Sequence, residues 1–288
     1  MNTIEMKSIN NFKFQLFSDI HLEHMKNSYP QITPLADYLF LGGDIGKFGF
    51  PNFKPFFDYC SKNWKMTFYI FGNHEFYHNS KTLINLKQEY GEFFDQYSNV
   101  KLLDDSYHDL ELETITYRIY GSVLWSNIDL GILGFNDLKF IKTKNEKNWN
   151  VPISIDEFNS MNLVCVKKLI NQVKSANQSN VKLIVMTHFT PTFQTIHQPN
   201  RVAHPMYDSQ NISIKKYFSN DIINDDYLAS YGLTTEEFLS NIKLWISGHT
   251  HYSYDFNFKG TRFLANQKGY DGEEDYTNFN YSGVFELN

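Results

Sequence analysis

Phe14-Gln15-Leu16-Phe17-Ser18-Asp19-Ile20-His21 decides how this chain is read: an apolar run of strand length stops at two side chains able to hold a metal, spaced two apart. Short apolar runs closed by glycine or polar residues are the mark of buried strands. Residues two apart in an extended segment point the same way, so Asp19 and His21 can face one object. The same grammar recurs along the chain. Tyr38-Leu39-Phe40-Leu41 leads to Gly43-Asp44, and Thr67-Phe68-Tyr69-Ile70-Phe71 leads to Gly72-Asn73-His74-Glu75. Leu183-Ile184-Val185-Met186 leads to Thr187-His188, and Leu244-Trp245-Ile246 to Gly248-His249-Thr250-His251. Each polar cluster thus follows a strand, at the carboxyl end where open α/β sheets gather their ligands.

Carboxylate oxygen, amide oxygen and imidazole nitrogen are donors for hard or borderline divalent cations, and one carboxylate can bridge two of them. The clusters together therefore predict a two-metal site. Any one histidine is more often a surface or satisfied core residue than a ligand, and Gly-Asp alone is close to noise. Gly-Asn-His-Glu and Gly-His-Thr-His, each after a strand, are much rarer by chance.

The ordered series Asp-x-His, Gly-Asp, Gly-Asn-His-Glu, His and Gly-His-x-His, running from Asp19 to His251, resembles that of the calcineurin-like metallophosphoesterase superfamily. The resemblance implies that Asp19, His21, Asp44 and His251 hold one metal and Asp44, Asn73, His188 and His249 the other, with Asp44 bridging. It implies that His74 is the non-ligand histidine near the leaving group, with Glu75 as its orienting carboxylate. The implied fold is α/β: two facing mixed β-sheets flanked by helices, a four-layer α/β/β/α sandwich, with residues 1–288 expected to form one domain. Two branches of the superfamily fit poorly. Serine/threonine phosphatases resemble Gly-Asp-x-x-Asp-Arg-Gly here, whereas this chain reads Gly43-Asp44-Ile45-Gly46-Lys47-Phe48-Gly49. Purple acid phosphatases place a tyrosine ligand where Lys47 stands. The remaining likeness, carried by the Ser18-Asp19-Ile20-His21-Leu22-Glu23 start and the closing Gly260-Thr261-Arg262-Phe263 followed by Asn266-Gln267-Lys268-Gly269-Tyr270, is to small bacterial or phage-type enzymes, including phosphodiesterases that open cyclic nucleotides.

The expected chemistry follows. Two divalent ions would share a water-derived hydroxide, polarise phosphoryl oxygens and align in-line displacement, while His74 protonates the leaving group. Mn is the first expectation for the ions, and the mixed oxygen and nitrogen set also accepts Fe, Zn, Co or Ni. A small phosphate ester, of nucleotide type, is the expected substrate; a nuclease, a dinucleoside polyphosphate hydrolase and a catalytically silent metal-binding scaffold are the alternatives.

Bulk properties set bounds on these readings. The chain has 288 residues, 42% hydrophobic and 20% charged, ordinary for a globular protein with a large core. Its net charge of -6 offers polyanions no general attraction, so nucleic acid is not the favoured partner. Cys60 and Cys165 suggest neither a disulfide framework nor a cysteine metal site. The first residues lack the cationic and apolar pattern of a signal peptide, and no run approaches a membrane span, so a cytoplasmic protein without a membrane partner is expected.

Helices are expected over Pro51 to Lys62 and Ser80 to Tyr97, and from Ser154, where Ser154-Ile155-Asp156-Glu157 forms a capping box. Thr234-Thr235-Glu236-Glu237 is a second box. Val100 to Leu103, Tyr107 to Leu112 and Ile115 to Tyr120 read as an antiparallel stretch, and Tyr254 to Phe258, Thr261 to Ala265 and Tyr281 to Leu287 read as strands near the end. Segments 126–151 and 197–231 are expected to roof the site and select the substrate. In the second, Arg201, His197 and His204 could contact substrate phosphate. Asn136, Asp137 and Trp125 belong with the other segment, where Trp125 or nearby Phe and Tyr could stack on a base, although core packing explains such aromatics just as well.

Overall fold

A computed structural model describes residues 12–112, 115–129, 134–179, 181–193, 212–273 and 277–287. In chain order its strands are β1 (Phe12–Phe17), β2 (Tyr38–Leu41), β3 (Met66–Ile70), β4 (Val100–Leu103), β5 (Ser106–Leu112), β6 (Ile115–Ser122), β7 (Lys142–Lys144) and β8 (Asn150–Pro152). They continue with β9 (Lys182–Thr187), β10 (Ile242–Ile246), β11 (Tyr254–Phe258), β12 (Thr261–Ala265) and β13 (Val284–Leu287). The helices are α1 (Phe53–Asn63), α2 (Leu83–Phe94), α3 (Asn136–Phe140), α4 (Ile155–Ser179), α5 (Ile212–Phe218), α6 (Asp225–Ala229) and α7 (Thr235–Leu239).

Two mixed sheets dominate. One runs β13-β1-β2-β3-β4 and the other β11-β12-β10-β9-β6-β5. β1 to β4 are parallel, with β13 antiparallel at one edge. β12, β10, β9 and β6 are likewise parallel, with β11 and β5 antiparallel at the edges.

Side-chain alternation sorts the core into layers. Phe14, Leu16, Phe40, Phe68 and Ile70 of the first sheet share one buried cluster with Ile119, Ile184, Met186, Leu244, Ile246 and Leu264 of the second, so these faces meet. Their neighbours in sequence, among them Phe17, Leu39, Leu41, Tyr69, Leu183, Val185 and Trp245, join the cluster that contains the helices. There Phe53, Phe56 and Phe57 of α1 and Leu86 and Tyr90 of α2 cover one sheet, and Phe158, Val166, Leu169 and Val173 of α4 cover the other. Strands buried on both faces explain the continuous apolar runs in the sequence. The four-layer expectation holds.

The helix starts also follow the sequence. Glu157 N donates to Ser154 Oγ at 3.2 Å while Ser154 N donates to Glu157 Oε2 at 3.0 Å. Thr234 and Glu237 repeat the exchange at 3.2 and 2.8 Å. Segment 126–151, expected as a loop, instead carries α3 and the β7–β8 hairpin, with Ile128, Asp137 and Ile141 buried. Among the described residues no helix is long and apolar enough to cross a membrane.

Candidate metal centre

β1, β2 and β3 of one sheet and β9 and β10 of the other end on a shared crevice, and the five polar clusters lie there. Asp19, His21, Asp44, His249 and His251 all take left-handed backbone, with φ of 54°, 53°, 50°, 75° and 51°. Each such residue costs about 1–2 kcal/mol relative to ordinary conformations, less for Asp and His than for bulkier types. Strain gathered at one place must be held by its surroundings and marks a functional site. Here backbone bonds hold it: Asp19 N donates to Gly43 O at 3.0 Å, His21 N to Asp44 O at 3.0 Å, and Gly248 N to His188 O at 2.9 Å. His249 N donates to Asp19 Oδ1 at 3.0 Å, tying the two sheets together. Gly43, at φ +88°, could carry no side chain, since a Cβ would fall 2.5 Å from His188 Nδ1.

Two groups of ligand-type atoms match the expected ligands, Asp19 with His21 and His251, and Asp44 with His188 and His249, each within 4.8 Å internally and buried, while a third gathers His21, Glu23, His24 and His74. The imidazoles are oriented by their Nδ1 atoms. His188 Nδ1 meets Gly42 O at 3.0 Å, His251 Nδ1 meets Glu273 Oε2 at 2.5 Å, and His21 Nδ1 meets Glu23 Oε1 at 3.4 Å. With the Nδ1 proton donated outward, Nε2 presents its lone pair inward, the usual support of a ligating histidine. His21 Nε2 and His251 Nε2 face each other at 3.1 Å, and His188 Nε2 lies 3.4 Å from Asp44 Oδ2. His249 Nε2 is buried and has no hydrogen-bond partner among the described residues. Opposed lone pairs and an orphaned buried nitrogen are what a cation would resolve, so these residues fit divalent metal ions.

Asn73 is aimed by residues the sequence did not single out for that purpose. Its Nδ2 donates to Asp137 Oδ1 at 2.8 Å and to Tyr77 Oη at 2.9 Å, which turns Oδ1 to within 3.0 Å of His188 Nε2. Tyr77 Oη itself donates to Asp137 at 2.5 Å. Asp137, fully buried on α3, thus fixes the amide.

Electrostatics divide the groups. Burial works against the Asp44 charge, but His188, His74 and His21 outweigh it and hold the carboxyl well below its usual range. Burial likewise opposes protonation of His188, yet Asp44 beside it pushes that group up to about 10. A cation between them would displace this proton, since a ligating imidazole is neutral. Burial lowers His21, and burial together with His188 lowers His249 well below the ordinary histidine value, leaving both as neutral donors. His74 moves the other way: burial opposes its charge, but Asp44 and Glu23 raise it.

Glu75 is not the partner of the His74 ring. Its carboxylate accepts from Gly72 N at 2.8 Å, Ile45 N at 2.9 Å, Asp44 N at 3.1 Å and Tyr69 Oη at 2.8 Å, bracing the ends of β2 and β3. Buried there and close to Asp44, it is pushed up to about 7. The ring partner is Glu23, whose Oε1 lies 3.1 Å from His74 Nδ1 with its side chain only 3% exposed. On the other side of the ring, Tyr270 Oη lies 3.2 Å from His74 Nε2. Glu23 follows His21 by two, a spacing that could have flagged it; Tyr270 ends the closing stretch Asn266-Gln267-Lys268-Gly269-Tyr270, which assigns it no role, and Asp137 and Glu273 belong to no motif.

Trp125 belongs to the core. At 1% exposure it packs against Phe76, Phe158 and Phe189 and has no face for a base. Arg201, His197 and His204 lie outside the described residues. Cys60 and Cys165 are free and buried.

A family model described as calcineurin-like phosphoesterase matches residues 12–253. An uncharacterized protein of Acanthamoeba polyphaga mimivirus is 30% identical over 286 residues, covering 91% of this chain and 92% of its own. Among solved structures, the phosphopantetheinyl hydrolase from Mycobacterium tuberculosis superposes with a TM-score of 0.57 at 14% identity, covering 96% of this chain and 95% of that one. At that identity the likeness speaks for the fold alone.

Proposed function

This chain belongs to the calcineurin-like phosphoesterase family and is a metal-dependent hydrolase of phosphate esters, and from that premise we propose that it is a dinuclear phosphodiesterase of small nucleotides, cyclic ones included. What carries the reading is the convergence of two buried ligand groups from both sheets, with His74 beside Asp44. In this reading Asp19, His21, Asp44 and His251 hold one divalent ion, Asp44, Asn73, His188 and His249 hold the second, and Mn²⁺ suits the donors. When bound, the ions supply Lewis acidity toward phosphoryl oxygens and an activated water.

The chain's own groups do the rest. His74 Nε2, 4.0 Å from Asp44 Oδ2, stands where a leaving oxygen can take its proton, and Asp44 and Glu23 keep that proton in place. Glu23 fixes the ring and balances its charge through Nδ1. Asp137 keeps the Asn73 oxygen inward. The aromatic faces of Tyr77 and Tyr270 flank His74 and narrow its access to water. The net charge of -6 goes with small substrates rather than extended polyanions.

The test is a substrate panel with Mn²⁺, with and without chelator: cyclic and linear nucleotide diesters, a nucleotide monoester, a dinucleoside polyphosphate, DNA, and a phosphopantetheinyl ester because the mycobacterial neighbour is a phosphopantetheinyl hydrolase. Chelator-sensitive turnover, fastest on nucleotide diesters, is expected. Two bound metals with no ester hydrolysed would sink the proposal.

A further inference from the structure

Lys47, Phe50, Tyr77, His78, Asn79 and Phe140 enclose a cleft of about 340 Å³ that the metal centre does not use. The two adjoin through one side chain. The Tyr77 ring lies against His74, with centroids 4.4 Å apart, and forms a wall of the cleft with Phe140, at 5.5 Å. Asp137 and Asn73 pin the Tyr77 hydroxyl, so this wall is fixed by the residues that aim Asn73.

Beside the Asn79 amide, which can donate or accept, the polar lining consists of donors. Lys47 is half-buried, and its ammonium makes no hydrogen bond or salt bridge among the described residues, lying 5.3 Å from the Tyr77 ring centroid. A π face only partly replaces water around a cation, so the site favours an anion or a strong acceptor. His78 Nδ1 accepts from Ser80 N at 3.0 Å and Lys81 N at 2.9 Å, which leaves the ring proton on Nε2 as a donor. No carboxylate lines the cleft. Aromatic faces plus donors match a flat ring bearing acceptors, and base–aromatic stacking tolerates any base.

We propose that this cleft is the subsite for the nucleoside part of the substrate, with the base between Phe140 and Phe50 beside the Tyr77 wall and Lys47 on its acceptor or anionic edge. The assignment rests on the phosphoesterase reading above and gives that site its substrate class. It also explains a lysine three residues after Asp44, with its ammonium over Tyr77 and no acid to pair with.

Calorimetric titration of the Mn²⁺-loaded protein with adenosine 5′-monophosphate and with inorganic phosphate isolates the nucleoside contribution without needing turnover. The wild type is expected to prefer the nucleotide tenfold or more, and Phe140→Ala and Lys47→Gln are each expected to cut that preference threefold or more. Should Phe140→Ala fail to fold, Lys47→Gln, which removes no packed ring, carries the same test. A wild type without the tenfold preference, or variants that lose less than threefold of it, overturns the subsite. Nucleotide diesters cleaved by a protein that binds both ligands alike would defeat the subsite alone. A protein that hydrolyses no ester yet shows the preference and its loss would defeat the proposed reaction and leave the subsite standing.

Discussion

His74 is held from both sides, by Glu23 on Nδ1 at 3.1 Å and by Tyr270 on Nε2 at 3.2 Å. If Glu23 acts by orienting that ring, the effects of removing either must overlap. His74→Ala is expected to lower turnover 100- to 10,000-fold, the usual range for loss of a general acid, while metal content stays near that of the wild type. Glu23→Ala should cost less, and adding it to His74→Ala should cost little more. Independent, multiplying losses would show that Glu23 works elsewhere, for instance through His21. The sequence named His74 from its place beside Asn73 but gave the orienting carboxylate to Glu75, its neighbour in the chain. Adjacency misled because His74–Phe76 forms a 3-10 turn that sends successive side chains apart, Glu75 inward to backbone amides and His74 toward Glu23.

Elements supply what single residues cannot. The strands were legible because burial on both faces writes continuous apolar runs, and the capping boxes at Ser154 and Thr234 write helix starts. α3 was not legible: five residues long, Asn136–Phe140 carries no full period of apolar spacing. Yet it delivers Asp137 to Asn73 and Phe140 to the wall of the cleft. Because an outer hydrogen bond to a metal ligand is commonly worth 10- to 100-fold in affinity, Asp137→Ala should weaken one of two Mn²⁺ ions by that factor in a titration and leave the other within a few fold. Equal weakening of both would assign Asp137 to general stability.

Across the whole molecule, the site is a seam between sheets, built from strand ends and held by bonds such as His249 N to Asp19. Five left-handed residues and a set of converging lone pairs cost stability that bound cations return. Saturating Mn²⁺ at about a thousand times Kd would add about 4 kcal/mol by mass action. The unfolding midpoint should therefore rise with Mn²⁺ and fall with chelator, whereas an unchanged midpoint would mean that the ligand groups bind no ion tightly. The layered fold and the convergence of the clusters were readable because ligands at the ends of parallel strands must meet in one crevice. The bracing contacts were not, because they join residues with no shared pattern, as Glu273 with His251 shows.

The most direct test is anomalous scattering from crystals grown or soaked with Mn²⁺. Two peaks about 3.5–4 Å apart, one beside Asp19, His21 and His251, the other beside Asn73, His188 and His249, with Asp44 between them, are predicted. A single peak, or peaks away from these residues, would contradict the two-metal account.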